Sequence, residues 1–179
     1  MNAATFANVD SLRAAGFEGF VSMRILRECK LQCVPGQPGD IGVYLILRVK
    51  EDDPAFMERS TGGYFKGRDP NVATEVLSSH WVPGTPVVYI GKAGAPGKAA
   101  TLRSRLRQFL SFGAGRNLGH WGGRLIWHLP DTDDLLVCWK RTPSLVPLVV
   151  EKQMIQAFVD SFGSRPFANL TGGNSGDID

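Results

Sequence analysis

Residues 41–49 read IGVYLILRV, a nearly continuous run of β-branched and aromatic side chains of strand length, and PVVYIG at Pro86–Gly91 is a second run of the same kind. Any fold open to this chain has to accommodate those two strands first. Residues 50–85 between them are too many for a hairpin turn. STGGYFKGRDP at Ser60–Pro70 is loop-like, whereas Asn71–Trp81 offers a helix-capping Asn and apolar Val72, Val76 and Leu77. The segment reads as an insertion with a small helix of its own.

Downstream, a Gly/Pro loop at Gly94–Gly97 leads into a helix over Ala99–Phe112, where Leu102, Leu106, Phe109 and Leu110 recur at helical spacing. After a Gly-rich stretch, Arg124–Leu129 and Leu135–Arg141 read as two strands joined across PDTDD as a hairpin. Pro143 and Pro147 stand near the start of a long helix over Ser144–Phe162 that Gly163 ends. Upstream of the first strand, Asp10–Ala15 reads as a short capped helix, Phe17–Leu26 as irregular or weakly extended, and Cys29–Pro38 as broken by Pro35, Gly36 and Pro38. The expectation is an α+β domain: a small, mostly antiparallel sheet with flanking helices and an insertion, about 50–85, between the first two core strands. Residues 1–40 are expected as an N-terminal extension packed on that core, 41–170 as the domain proper and 171–179 as a loose tail. Such a fold class carries no function by itself.

With 179 residues, 43% of them hydrophobic, one domain suffices. No apolar run reaches the roughly 18–20 residues of a membrane span, and the first residues lack the basic start and apolar core of a leader, so a soluble cytoplasmic protein is expected. Three cysteines cannot complete a disulfide framework, in keeping with a reducing compartment. A net charge of +3 decides nothing, but its distribution does. Lys92, Lys98, Arg103, Arg105, Arg107, Arg116 and Arg124 fall where no acidic residue occurs between Glu75 and Asp131. That is a local positive field suited to phosphate backbones, or else a solvated helix face.

Glu151 is the most informative residue of the long helix. Leu148, Ile155, Phe158 and Phe162 lie three before and four, seven and eleven after it, so the carboxylate lies along the apolar stripe. A carboxylate buried alone costs several kcal/mol or takes up a proton, so a cation, a metal or a hydrogen-bond network should face it. Arg105 borders the stripe of the preceding helix and can either pair with that carboxylate or clamp a phosphate through its planar fork. Two tyrosines sit in strands in distinctive frames, Gly42-Val43-Tyr44 and Tyr89-Ile90-Gly91-Lys92.

GVY, then YIGKAG, then LRSRLRQFL on a helix, then a helix-borne Glu and a closing Asn resemble, in that order, the GIY-YIG nuclease family; the second and third pieces closely resemble the nuclease half of its excinuclease members. The resemblance covers Gly42–Asn169 and leaves the first forty residues and the insertion outside it. It implies an endonuclease hydrolysing nucleic-acid phosphodiester bonds, DNA foremost, with Tyr44, Tyr89, Lys92, Arg105 and Asn169 in the catalytic site. It also implies Glu151 as the ligand of one Mg²⁺ or Mn²⁺ ion, Tyr44 as general base, and Asn169 holding the site by hydrogen bonds. Tyr44 and Tyr89 lie further apart than a short turn allows, as in insertion-bearing restriction-type members. Many members carry His or Tyr four residues after the arginine, where this chain has Phe109. A phenylalanine cannot move a proton, so a nucleic-acid-binding module of the same fold with weak or no turnover is the second reading.

Lys66 and Arg68, interleaved with Tyr64 and Phe65 in the insertion, are nucleic-acid contacts in this reading, alongside Arg103, Arg107 and Arg116; the alternative is a loop folded on the domain's edge. His120 and Trp121 in GHWGGR lie near the site or are merely packed. A homodimer or a separate partner would supply targeting. GKAGAPGKAAT at Gly91–Thr101 fails as a phosphate loop, because Lys92 and Ala99 stand where Gly and Ser or Thr are required. Cys29 and Cys33 lack a second ligand pair at zinc spacing.

Overall fold

A computed structural model describes residues 3–118 and 120–171. The chain forms α1 (Val9–Ala14), β1 (Glu18–Ser22), α2 (Met23–Glu28), β2 (Gly42–Leu47), α3 (Thr74–His80), β3 (Val87–Ala93), α4 (Leu102–Gly113), β4 (Leu136–Arg141) and α5 (Pro147–Phe162), with 3₁₀ turns at Ala3–Phe6, Trp121–His128 and Thr132–Asp134. It is an α+β protein with one open four-stranded antiparallel sheet in the order β1-β4-β2-β3 and helices on its flanks. Residues 172–179, most of the expected tail, lie outside the described residues. Among the described residues no helix is long and apolar enough to cross a membrane.

β2 is apolar throughout because both of its faces are covered. Tyr44 and Ile46 point into a core with Leu102, Leu106 and Phe109 of α4 and Leu125, Ile126 and Trp127, whereas Val43, Leu45 and Leu47 point into a second core with Met154, Ile155 and Phe158 of α5, Phe6 and Leu12. Gly42 lies so close to β4 that a Cβ there would stand 2.1 Å from the Lys140 carbonyl oxygen. Between Ile46 and Leu47 of β2 the register with β3 slips by one residue, so Ile46 pairs Tyr89 and Leu47 pairs Val87. The regular pairs Tyr44 with Gly91 and Ile46 with Tyr89 put Tyr89 on the face that Tyr44 occupies, and the bulge lets Val88 join the same core while Val87 joins the other.

Helix ends follow local chemistry. Thr101 and Ser104 form a reciprocal capping box at the start of α4, later than the Ala99 start expected from periodicity. α5 opens on Pro147 and closes on Gly163 in the left-handed region at φ 76°.

Three expectations are corrected. Arg124–Leu129 is no strand: Trp121–His128 is a pair of 3₁₀ turns kinked at Gly123, buried beneath α4, where a short apolar run fits a strand and a buried turn equally well. β4 therefore has no hairpin partner there and pairs instead with β1, in the stretch expected to be irregular, so the first forty residues contribute an edge strand. Asn71 caps no helix either. Its side chain accepts from Ser60 N at 2.8 Å and donates to Asp69, while α3 begins after Ala73 without a side-chain cap.

The insertion is built into the domain. His128 Nδ1 donates to the Met57 carbonyl at 2.8 Å and its Nε2 accepts from Val72 N at 3.2 Å, while Gly63 N donates to the Phe112 carbonyl at 2.8 Å. At the end of β2, Arg48, 5% exposed, donates through Nε to Asp131 at 2.9 Å and through its other nitrogens to the carboxylate and carbonyl of Asp52. Removing Asp131 leaves Arg48 with the largely exposed Asp52 carboxylate as its remaining anionic partner. Asp131→Ala should lower the free energy of urea unfolding by about 3 kcal/mol at unchanged m-value. A loss under about 1 kcal/mol, the range of exposed ion pairs, would mean that Arg48 finds water instead.

Candidate active site

β3 is an edge strand, and alternate backbone groups along it face away from β2. Val88, Ile90 and Lys92 meet partners there. The Val88 carbonyl accepts from Ala168 N at 2.9 Å. Asn169 brackets Ile90, its Oδ1 accepting from Ile90 N at 2.9 Å and its Nδ2 donating to Ile90 O at 2.8 Å. The Lys92 main chain hydrogen-bonds the Glu151 carboxylate. The free edge that would otherwise invite another strand is thus closed by α5 and the turn after it. Both Glu151 and Asn169 are fixed beside Tyr89-Ile90-Gly91 as a result.

Gly91 pairs with Tyr44 across the strands, and a Cβ there would stand 2.5 Å from Tyr44 Cζ and 2.6 Å from its oxygen. The glycine is what admits the phenol between the strands. Tyr44 is wholly buried and Tyr89 nearly so, their ring centroids 6.0 Å apart. Tyr89 and Arg105 both hydrogen-bond to the Tyr44 hydroxyl. Arg105, half-buried on α4, lies close enough for its charge to act on Tyr44, Tyr89, His120 and Glu151.

Burial dominates the electrostatics. It lifts Glu151 from 4.5 to about 7, against the opposing charges of Lys92 and Arg105, the hydrogen bond from Lys92 and the charge of Lys152. It lifts Tyr44 to about 12, with Arg105 opposing and Glu151 adding to the rise. This is the reverse of the fall that a standing phenolate base requires. Tyr89 is raised well above its ordinary value, by burial and then by Tyr44. Burial and then Arg105 hold His120 well below its ordinary value, so the imidazole is neutral.

The structure therefore gathers Tyr44, Tyr89, Lys92, Arg105 and Glu151 in one place, with Asn169 engaged on the backbone that carries Tyr89. Phe109 stacks on Tyr89 at 6.2 Å with the rings 2° from parallel, and lies 4.8 Å from His120. His120 Nε2 is 3.3 Å from the Tyr44 oxygen. Sequence reasoning left His120 between the site and the core, because nothing in a lone histidine among glycines shows that it reaches a residue 76 positions away.

The expected nucleic-acid contacts divide. Lys66, Arg68, Arg107 and Arg116 are exposed. Arg103 is engaged elsewhere, donating to the Val34 carbonyl at 2.8 Å and the Gln32 carbonyl at 3.2 Å, so it staples the chain ahead of β2. Arg124 joins the basic set: its guanidinium lies 4.5 Å over the Trp121 ring, Phe65 packs on Trp121 at 6.3 Å, and burial, then the charge of Arg68, depress Arg124. The insertion tip thereby meets the His120–Trp121 stretch beside the tyrosines.

A carboxyl raised on folding makes stability fall as pH rises. Between about 4.5 and 7 the folded protein keeps a proton that the unfolded chain has released, and above about 7 the whole cost of the buried charge, about 3 kcal/mol, is present. Glu151→Gln should therefore unfold at higher urea than wild type at pH 8, with the gain shrinking toward zero near pH 4.5. An equal gain at both pH values would show that Glu151 is not held in the raised state.

No family model, no curated protein and no solved structure matches the chain, so the reading of this site rests on its own geometry and chemistry.

Proposed function

We propose that the chain is a GIY-YIG-type endonuclease that hydrolyses phosphodiester bonds in DNA, with one divalent ion, Mg²⁺ or Mn²⁺, held by Glu151. The observation that carries this reading is a buried carboxylate whose ionised form three nearby cationic side chains do not fully restore, set beside two tyrosines and a guanidinium. Such a carboxylate favours a more concentrated positive charge than lysine or arginine supplies.

Among the described residues no group of three or more His, Cys, Asp or Glu side chains could hold a metal ion. In this reading Glu151 is the protein ligand and the remaining positions go to water and phosphate oxygens, which suits Mg²⁺. When bound, the ion would supply Lewis acidity at the scissile phosphate and counter-charge for the leaving oxygen. The side chains supply the rest. Arg105 stabilises the negative charge that builds on the phosphorane, in a buried setting where that charge is poorly screened. Lys92 adds positive charge on the Glu151 side. Tyr89 donates to Tyr44 and holds its oxygen in place, and Tyr44 is the group in line to take the proton of the attacking water. Asn169 keeps β3, and with it Tyr89, in register. Lys66, Arg68, Arg107, Arg116 and Arg124 bind the flanking backbone.

The second reading, a binding module with weak or no turnover, is favoured by Phe109 and by the rise of Tyr44 to about 12. Cleavage separates the two. Supercoiled plasmid should be nicked in Mg²⁺ or Mn²⁺ and left intact in EDTA, with Glu151→Ala and Arg105→Ala each slowing nicking about 10³-fold. Metal-dependent nicking that survives Glu151→Ala overturns the mechanism; DNA binding without any nicking establishes the module instead.

A further inference from the structure

Tyr44 combines two properties that conflict in a general base. The proposed reaction asks it to accept a proton, and burial keeps its own proton on. A phenol has one hydrogen to donate and two lone pairs to accept with. Tyr89 and Arg105 lie near the Tyr44 oxygen, and the hydrogen which that oxygen carries needs an acceptor. His120 Nε2, at 3.3 Å, is that acceptor, and both groups are wholly buried. A neutral imidazole with its hydrogen on Nδ1 presents a lone pair at Nε2.

We propose that His120 is the terminal proton acceptor of the reaction, reached through Tyr44, and that it restores by a different segment the proton-handling function that Phe109 cannot perform. The inference rests on the nuclease reading above. In the step, the water oxygen bonds to phosphorus as one of its hydrogens passes to the Tyr44 oxygen. The Tyr44 hydrogen passes at the same time to His120 Nε2, so no free phenolate forms. The bond from phosphorus to the leaving oxygen breaks with its electron pair, and that oxygen is protonated by solvent water. His120 then returns its extra proton through Tyr44 to solvent, which resets the pair.

The surroundings of His120 suit this task. Its ring stands edge-on to Phe109 at 4.8 Å and 63° and lies 6.4 Å from Tyr89, so packing sets its orientation. Nδ1 is buried and has no hydrogen-bond partner among the described residues, so no carboxylate fixes the ring as an imidazolium. Burial and Arg105 keep it uncharged before the reaction, which leaves the Nε2 lone pair open at ordinary pH. The negative phosphorane forming beside Arg105 offsets the repulsion that a protonated His120 would feel.

Two measurements test the proposal. The chain has three histidines, so ¹⁵N-detected imidazole spectra of the metal-free protein can be assigned with His120→Gln. His128 provides an internal reference, because its contacts, Nδ1 donating to Met57 and Nε2 accepting from Val72, dictate the tautomer with hydrogen on Nδ1. His120 should show that same tautomer and remain neutral down to pH 5; a hydrogen on Nε2 overturns the relay. In single-turnover nicking at saturating plasmid, His120→Gln, which can accept from Tyr44 but cannot take its proton, should lose about 10²-fold or more in rate with DNA affinity unchanged. His120→Phe should do no better. Recovery of the wild-type rate in His120→Gln overturns the proposal and leaves the nuclease reading standing. A wild type that cleaves no DNA in Mg²⁺ or Mn²⁺ overturns both.

Discussion

Closure of the free edge of β3 is the constraint on which the rest of the molecule depends. An edge strand exposes alternate N–H and C=O groups, and here Val88, Ile90 and Lys92 meet Ala168, Asn169 and Glu151 respectively. These contacts dock the end of the chain against the strand that carries Tyr89. They also bring a carboxylate from the helix on one face of the sheet to the edge where α4, on the other face, presents Arg105. The site exists because the two layers meet at that edge. Neither layer alone holds both the carboxylate and the tyrosines.

Burial then sets the resting state of the site. Had charge–charge attraction prevailed, Lys92 and Arg105 would have pulled Glu151 below its ordinary range, whereas it stands at about 7. Tyr44 shows the same ranking at about 12. The site therefore carries suppressed acids beside a charged guanidinium, and the proposed binding of a cation at Glu151 and of a phosphate at Arg105 rests on that arrangement. The cost borne by the fold and the proposed chemistry have one source, the exclusion of water from this corner.

Most of the core was legible because its signals are local. β2 and β3 are apolar enough to be read as strands, Leu102, Leu106, Phe109 and Leu110 mark the body of α4, and Gly163 sits where a helix must end. The stripe on α5 placed Glu151 indoors without any knowledge of its neighbours, and it is 7% exposed. Features set by distant contacts were not legible. β1 contains Gly19 and a left-handed Phe20 at φ 56°, and is a strand only because β4 lies beside it. Trp121–His128 carries the composition of a strand, but the strand position next to β4 is taken by β1. Arg103 looked like its neighbours on α4, and only the fold shows its fork closing on two carbonyls.

Position 109 shows how far residue-by-residue matching can carry a functional reading. A site is a set of atoms at certain distances, and the sequence order in which they arrive is incidental. Phe109 subtracts a titratable group from α4, yet its flat ring fills the space against which His120 stands, and His120 reaches the Tyr44 oxygen from a Gly-rich turn on the other side of the core. A histidine at 109 would be mounted on a rigid helix, whereas His120 is mounted on a kinked turn whose neighbour Trp121 packs against Phe65 of the insertion. The turn that carries His120 and the insertion tip that carries Lys66 and Arg68 are therefore in contact through Trp121 and Phe65, so a residue the family pattern does not name and a segment outside that pattern share one corner of the fold.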